Sequence, residues 1–143
     1  MKNTENTEFL LARKDDLDEI FKIFQNKEEW LKEKEIDQWR GYTQRYGKDF
    51  FLNHITNEHM YILKETDKII ACGVLLSGDS LWGELSPDAR VLKNLASIES
   101  GGGAALMEHM FEMCKAEGIK KIVIDCLATN RDLIGYYKGR GFV

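Results

Sequence analysis

NLASIESGGGAALMEHMFEMCKAEG, residues 94–118, passes from an apolar tail of strand character, through Gly101, Gly102 and Gly103, into an apolar stripe at helical spacing. Leu106, Met107, Met110, Phe111 and Cys114 recur every three or four residues, the period of one helix face. Gly118 follows as a left-handed cap. Glycine in a helix interior costs about 1 kcal/mol relative to alanine. Three in a row at a strand-to-helix junction therefore point to a chain that must bend sharply or approach something closely. Two readings fit: a tight turn without a ligand, or a bound phosphate. A helix N-terminus offers unpaired N–H donors and partial positive charge, and glycines let an anion come near the backbone. The familiar nucleotide motifs do not fit, because there is no GxGxxG and no Lys-Ser/Thr after the glycines.

Working outward, EFLLAR (8–13) reads as a short strand, and Asp15 as the N-cap of a helix whose inner face is Leu17, Ile20, Phe21 and Phe24. WLKEKEIDQWRGYTQ (30–44) is amphipathic up to Gly41, and QRYGKDFFLNHI (44–55) reads as a further helix. MYILKE (60–65) and KIIACGVLLS (68–77) are strands joined by a tight turn at Thr66 and Asp67, the second apolar enough for a central position. GDSLWGELSPDA (78–89) reads as a loop, RVLKNLAS (90–97) as the strand feeding the glycines, KKIVIDCL (120–127) as a strand, and NRDLIGYYKGR (130–140) as a last helix. The hairpin dictates antiparallel pairing in the first half. Strand–helix–strand in the second half dictates a parallel pair joined by a right-handed crossover. The expectation is a mixed α+β domain over residues 1–143: one mixed sheet with helices on both faces, an antiparallel first half and a parallel central strand pair.

The 143 residues suffice for one domain with a real core, and 43% hydrophobic with 31% charged residues describes a soluble globular chain. A net charge of −4 without a basic face excludes the usual nucleic-acid binder. No apolar stretch is long enough for a membrane span, and MKNTENTEFL lacks a signal-peptide core. Cys72, Cys114 and Cys126 are far apart in apolar surroundings, which reads as reduced core thiols in a cytoplasmic protein. His54, His59 and His109 have no metal-ligand spacing, so no metal site is expected.

With the segments placed, residues 89–142 resemble the GCN5-related N-acetyltransferase (GNAT) family. NLA matches the family's strand tail, Gly101 and Gly103 the two glycines of its Q/R-x-x-G-x-G/A loop, and Leu106 and Met107 the start of the following helix. Asn130, Tyr137, Gly141 and Phe142 match the later block in order and spacing. Ile98 stands at the Gln/Arg position. The resemblance implies acetyl-CoA as co-substrate. Backbone at Ser100, Gly101, Gly102, Gly103 and Ala104 would hold the pyrophosphate, Leu95 and Ala96 would pair with the pantetheine arm, and Asn130 would complete the cofactor site. It implies Tyr137 as the general acid for the leaving thiolate. The family normally adds one or two strands after this block, which here are absent, supplied by another chain or beyond the given sequence; Phe142 and Val143 read as a strand start with an open edge, where a homodimer is expected.

Glu84 and Asp88, just ahead of the strand, are the carboxylates considered as general base, and Glu84 is the choice. Trp39 and Trp82, beside Asp37 and Glu84, offer aromatic faces to an alkylammonium, although both tryptophans suit packing as well. The expected activity is transfer of acetyl from acetyl-CoA to a small-molecule or peptide primary amine by direct attack. The alternative is a non-catalytic acyl-CoA-binding or partner-binding module on the same fold.

Overall fold

The computed structural model describes residues 7–35, 47–79, 83–98 and 101–124. Five strands, Thr7–Leu11 (β1), Met60–Glu65 (β2), Lys68–Leu76 (β3), Ala89–Ser97 (β6) and Lys121–Ile124 (β7), form a sheet in the order β1-β2-β3-β6-β7. Gly78–Asp79 (β4) and Gly83–Glu84 (β5) form a small antiparallel pair of their own. The three pairings from β1 to β6 are antiparallel and β6–β7 is parallel. The mixed sheet expected from the hairpin and the crossover is therefore present.

Among the described residues three helices cover it: Leu17–Glu33 (α1), Lys48–Thr56 (α2) and Gly102–Ala116 (α3). Ile20, Ile23 and Phe24 of α1 and Phe51 and Ile55 of α2 pack on Met60, Ile62, Ile69, Cys72, Val74 and Ala96. Phe24 and Phe51 stack with ring centroids 4.6 Å apart. On the opposite face Ala105, Leu106, Met107, Met110 and Cys114 of α3 pack on Leu63, Ile70, Ala71, Leu75 and Leu92. β3 lies between the two layers and is buried from Ile69 to Leu75, which explains its near-continuous apolar run. Each fully buried Leu or Ile there contributes about 1.5–3 kcal/mol.

Four expectations shift. The Asp15 cap is replaced by a 3₁₀ turn, Lys14–Asp16, and α1 begins one residue later, at Leu17. Asp16 precedes α1 without a side-chain cap bond to it; its carboxylate instead accepts the Arg13 backbone N–H at 2.8 Å and faces Lys64 Nζ at 3.6 Å. Trp30–Glu33 belong to α1, since nothing between Phe24 and Trp30 breaks a helix; the turn comes at Glu35, in a left-handed conformation. The loop after β3 folds back on itself as β4–β5, and the Leu85 N–H donates to the Ser77 carbonyl at 3.1 Å. α2 starts after Gly47, three residues past Gln44. Residues 36–46 lie outside the described residues.

β6 carries the irregularity that matters for the site. Val74 faces Lys93 and Cys72 faces Ala96, so Asn94 and Leu95 together oppose Gly73, which makes a β-bulge. Asn94 has φ +53°, a left-handed conformation that Asn tolerates better than most residues. Gly73 makes the room: a Cβ there would meet Met110 Cε at 3.2 Å and Leu95 Cδ1 at 3.3 Å.

Candidate active site

The glycine junction divides its work among its members. Gly101 caps α3 with φ +87° and ψ −14°, a backbone that side chains strain. Gly102 lies flat on the sheet, where a Cβ would meet the Ile70 carbonyl oxygen at 3.2 Å and Ser97 Cβ at 3.4 Å. Gly103 and Ala104 are buried behind it. The helix ladder begins with the Ala105 N–H donating to the Gly101 carbonyl at 3.0 Å. The N–H groups of Gly102, Gly103 and Ala104 therefore precede the ladder and point back along the axis toward the end of β6. The other end of α3 closes as the sequence predicts. Gly118 is left-handed at φ +80°, with Ile119 N–H on the Cys114 carbonyl at 2.8 Å and Gly118 N–H on that of Lys115 at 3.2 Å.

β6 presents an edge to the same place. Among the described residues β7 pairs only with Ala89–Leu92, so Lys93–Ser97 run on past it. The Ile98 N–H donates to the Ile70 carbonyl at 3.0 Å, toward β3. Alternation along the strand turns the backbone groups of Ala96 toward Cys72 and those of Ser97 toward the β7 side. Ser97, which sequence reasoning passed over, thus has the better-aimed backbone for an added strand. Leu95 packs its side chain with the α3-side core.

The proposed partners of this site are distributed unevenly. Leu95, Ala96 and Gly101–Ala104 come together where β6 meets α3. Glu84 sits in β5, a strand of two residues off the end of β3. Ser100, Asp37, Trp39, Trp82, Asn130 and Tyr137 lie outside the described residues. Asp88 is fully exposed, and Ser86 Oγ donates to its carboxylate at 2.7 Å. That hydrogen bond holds Asp88 below the usual carboxylate range, which makes it a poor base near neutral pH. Burial pushes the Cys72 and Cys114 thiols up, so neither is primed as a nucleophile.

A histidine pair emerges that sequence spacing did not suggest. His54, in the last turn of α2, and His59, just before β2, bring their Nδ1 atoms to 3.4 Å. The His59 N–H donates to the His54 carbonyl at 2.9 Å, and the Leu75 N–H to the His59 carbonyl at 3.0 Å, so the chain reversal between helix and strand sets the pair. The Phe50 ring stands edge-on to His54, with centroids 4.8 Å apart. Burial, then the His59 and Lys93 charges, lower the His54 pKa. The available signal was a helix end four residues ahead of a strand start, a reversal that here places i and i+5 side by side.

This shift has a measurable consequence. In the unfolded chain a histidine titrates near 6.5, whereas folded His54 protonates at lower pH. As pH falls through that window the unfolded chain takes up the proton first, so stability present above it is lost. The melting temperature should fall between about pH 7 and pH 5.5, and His54→Gln should flatten that slope in a thermal-melt series.

Among the described residues no helix is long and apolar enough to cross a membrane, and no group of three or more His, Cys, Asp or Glu side chains gathers to hold a metal. No curated protein matches the sequence. The fold is shared with the PaiA N-acetyltransferase of Thermoplasma acidophilum, solved in complex with coenzyme A: TM-score 0.71, 18% identity, 96% of this chain and 89% of that one. It is shared with the ribosomal-protein-S18-alanine N-acetyltransferase of Escherichia coli: TM-score 0.68, 18% identity, 96% of this chain and 77% of that one. A GNAT-family acetyltransferase of Listeria monocytogenes is similar at TM-score 0.71 and 17% identity, over 96% and 86% of the two chains. These likenesses speak to the fold. The sequence itself matches the family model described as Acetyltransferase (GNAT) family over residues 17–142, from α1 through the glycine junction to the GF pair. On that match, which spans most of its length, the chain belongs to the GNAT acetyltransferase family.

Proposed function

We propose that this protein transfers the acetyl group of acetyl-CoA to a primary amine, small molecule or peptide, by direct attack of the amine on the thioester. The observation that carries the reading is the junction of β6 with α3. Left-handed Gly101 aims the first N–H groups of α3 at the end of β6, and the β6 edge from Lys93 to Ser97 runs on past its described pairing with β7. A pyrophosphate fits the N–H groups of Gly102, Gly103 and Ala104. The pantetheine arm, with amides of its own, fits along β6 as an added strand, with Ser97 and Leu95 beside it. The acetyl group then reaches the bulge at Asn94. When bound, acetyl-CoA supplies an activated acyl group, and the chain supplies position and N–H dipoles. Asn130 and Tyr137 complete the site, Tyr137 as proton donor to the thiolate. Trp39, Trp82, Asp37 and Glu84 belong to the acceptor side.

The relatives support this reading in their own terms: one was solved with coenzyme A and one is named for acetylating an alanine of a ribosomal protein. Buried free thiols at Cys72 and Cys114 suit a cytoplasmic enzyme of one domain. Ile98, 37% exposed where the family has Gln or Arg, favours the second reading, an acyl-CoA-binding module without turnover. Thiol release from acetyl-CoA across a panel of amines separates the two.

Gly101→Val tests the cofactor site. It places a β-branched side chain at φ +87°, which costs about 1–2 kcal/mol of backbone strain, and puts methyl groups beside the anion. Calorimetric affinity for CoA should fall at least tenfold with the fold retained. Unchanged affinity would reduce the glycines to a turn.

A further inference from the structure

The side-chain cluster left unused by this reading is the His54–His59 pair, and its place in the sheet points to a role. Lys93 pairs with Val74, whose side chain belongs to the core under α1 and α2, so Lys93 shares that face. Lys93 also immediately precedes the bulged Asn94. If CoA enters from the α3 end, as the reading above has it, the thioester lies at the bulge. The acceptor must then approach from the other half of β6, the half of Lys93. His59 heads β2, two strands away and about 10 Å across the sheet, and His54 lies on the same side near enough for the Lys93 charge to lower its pKa.

The geometry of the pair limits its protonation. With Nδ1 facing Nδ1 at 3.4 Å, only one of the two atoms can carry hydrogen, because two N–H groups head-on would repel. The ring that donates has a bare Nε2. The ring that accepts has an Nε2–H. A proton arriving at the bare Nε2 lets the shared proton cross to the other Nδ1 and the far Nε2–H leave to water. The pair is a two-ring relay that takes a proton at one end and releases one at the other, and ends in the mirror tautomer.

Burial and neighbouring charge favour the neutral form of His54. Besides His59, the His54 ring feels the Lys93 charge from β6 and stands against the Phe50 ring, and Glu58 lies exposed in the turn between the two histidines. α1 contributes Asp18, whose carboxylate is held by Lys48 Nζ at 2.8 Å, at the opposite end of α2 from His54. Among the described residues, none of the charges acting on His54 is a carboxylate.

We propose that the His54–His59 pair is the proton acceptor of the transfer reaction, drawing the proton of the acceptor ammonium through water and passing one on to solvent. This rests on the acetyl-transfer reading. The ammonium loses one proton to the relay, and its nitrogen pair forms the C–N bond. The C–S bond breaks, the thiolate takes a proton from Tyr137, and Tyr137 regains it from the attacking nitrogen. The products are the amide, CoA thiol and one proton in solvent. Glu84 is relieved of the role of base.

The test uses the full chain, with His54→Gln and His59→Gln beside the wild type. Thiol release is followed from pH 5.5 to 10 with spermidine, lysine ethyl ester and an alanine-terminated hexapeptide. At neutral pH each variant should lose about 10²-fold in kcat/KM, the low end for general-base loss, and regain rate toward the amine's own pKa. Added imidazole should restore part of it. CoA affinity and melting temperature at pH 8 should stay near wild type. In ¹⁵N spectra of the wild type without CoA, one ring should be the Nδ1–H tautomer and the other Nε2–H. Two Nε2–H rings, or variants with the wild-type pH limb, overturn the relay alone. A wild type that binds CoA but releases no thiol with any of the three amines overturns acetyl transfer itself, and the relay with it.

Discussion

Gly102→Val is expected to lower the melting temperature by about 5–10 °C, from an overpacking cost of about 2–3 kcal/mol. A Cβ at this position already stands 3.2 Å from the Ile70 carbonyl oxygen and 3.4 Å from Ser97 Cβ, with Ala71 Cβ at 3.8 Å. The first of these cannot yield cheaply. It is backbone, in the bulge where β3 leaves register with β2, and it accepts the Ile98 N–H at 3.0 Å. The two γ carbons of valine must displace α3 from the sheet instead, and that shift runs through Leu106, Met107 and Met110. Gly102→Ala should show a smaller loss. Gly47→Ala is the control, with nothing within 4 Å of the added carbon and an ordinary backbone. Scanning calorimetry of the three variants decides it. Equal melting temperatures for Gly102→Val and wild type would mean that α3 is not seated against Ile70 as described.

Tyr137→Phe is expected to lower turnover by about 10²-fold, the low end for removal of a general acid. The position comes from the resemblance: Tyr137 stands seven residues after Asn130 and four before Gly141, in a segment outside the described residues. The modest size follows from the leaving group, since a thiol titrates near 8.5 and its thiolate leaves with little help. Phenylalanine keeps the ring, so CoA affinity and melting temperature should be close to wild type. Tyr136→Phe should leave turnover nearly unaffected. Full activity of Tyr137→Phe at neutral pH, with chemistry rate-limiting, would return Tyr137 to packing.

What could be read from the sequence followed from period and punctuation. The stripe Leu106–Cys114, closed by Gly118, predicted α3 and its cap because spacing and a left-handed glycine are local facts. The apolar run from Ile69 to Leu75 predicted a central strand because both its faces are covered. The mixture of antiparallel and parallel pairing followed from one hairpin and one crossover. Local pattern did not show the bulge: Lys93, Asn94 and Leu95 look like three successive strand residues, and only the register against Gly73 reveals two facing one. Nor did it show that Gly102 serves the fold while Gly101 serves the turn, because the neighbour that forbids a side chain at Gly102 is Ile70, far away in sequence. The histidine pair was hidden for the opposite reason, since five residues is no helical or strand period and the contact arises where one element hands over to the next.

The bulge in β6 also bears on how such a protein can change over generations. Lys93 and Ala96 lie on the α1/α2 face, and Leu92, Leu95 and Ser97 on the α3 face. With Asn94 deleted, plain alternation assigns each of them to the same face. The core is thus indifferent to this one codon, whereas the departure of β6 from straight pairing depends on it. A single in-frame deletion would yield a descendant with an intact interior and a β6 in straight pairing with β3. Loss of catalysis in this lineage need leave no trace in the pattern of buried residues.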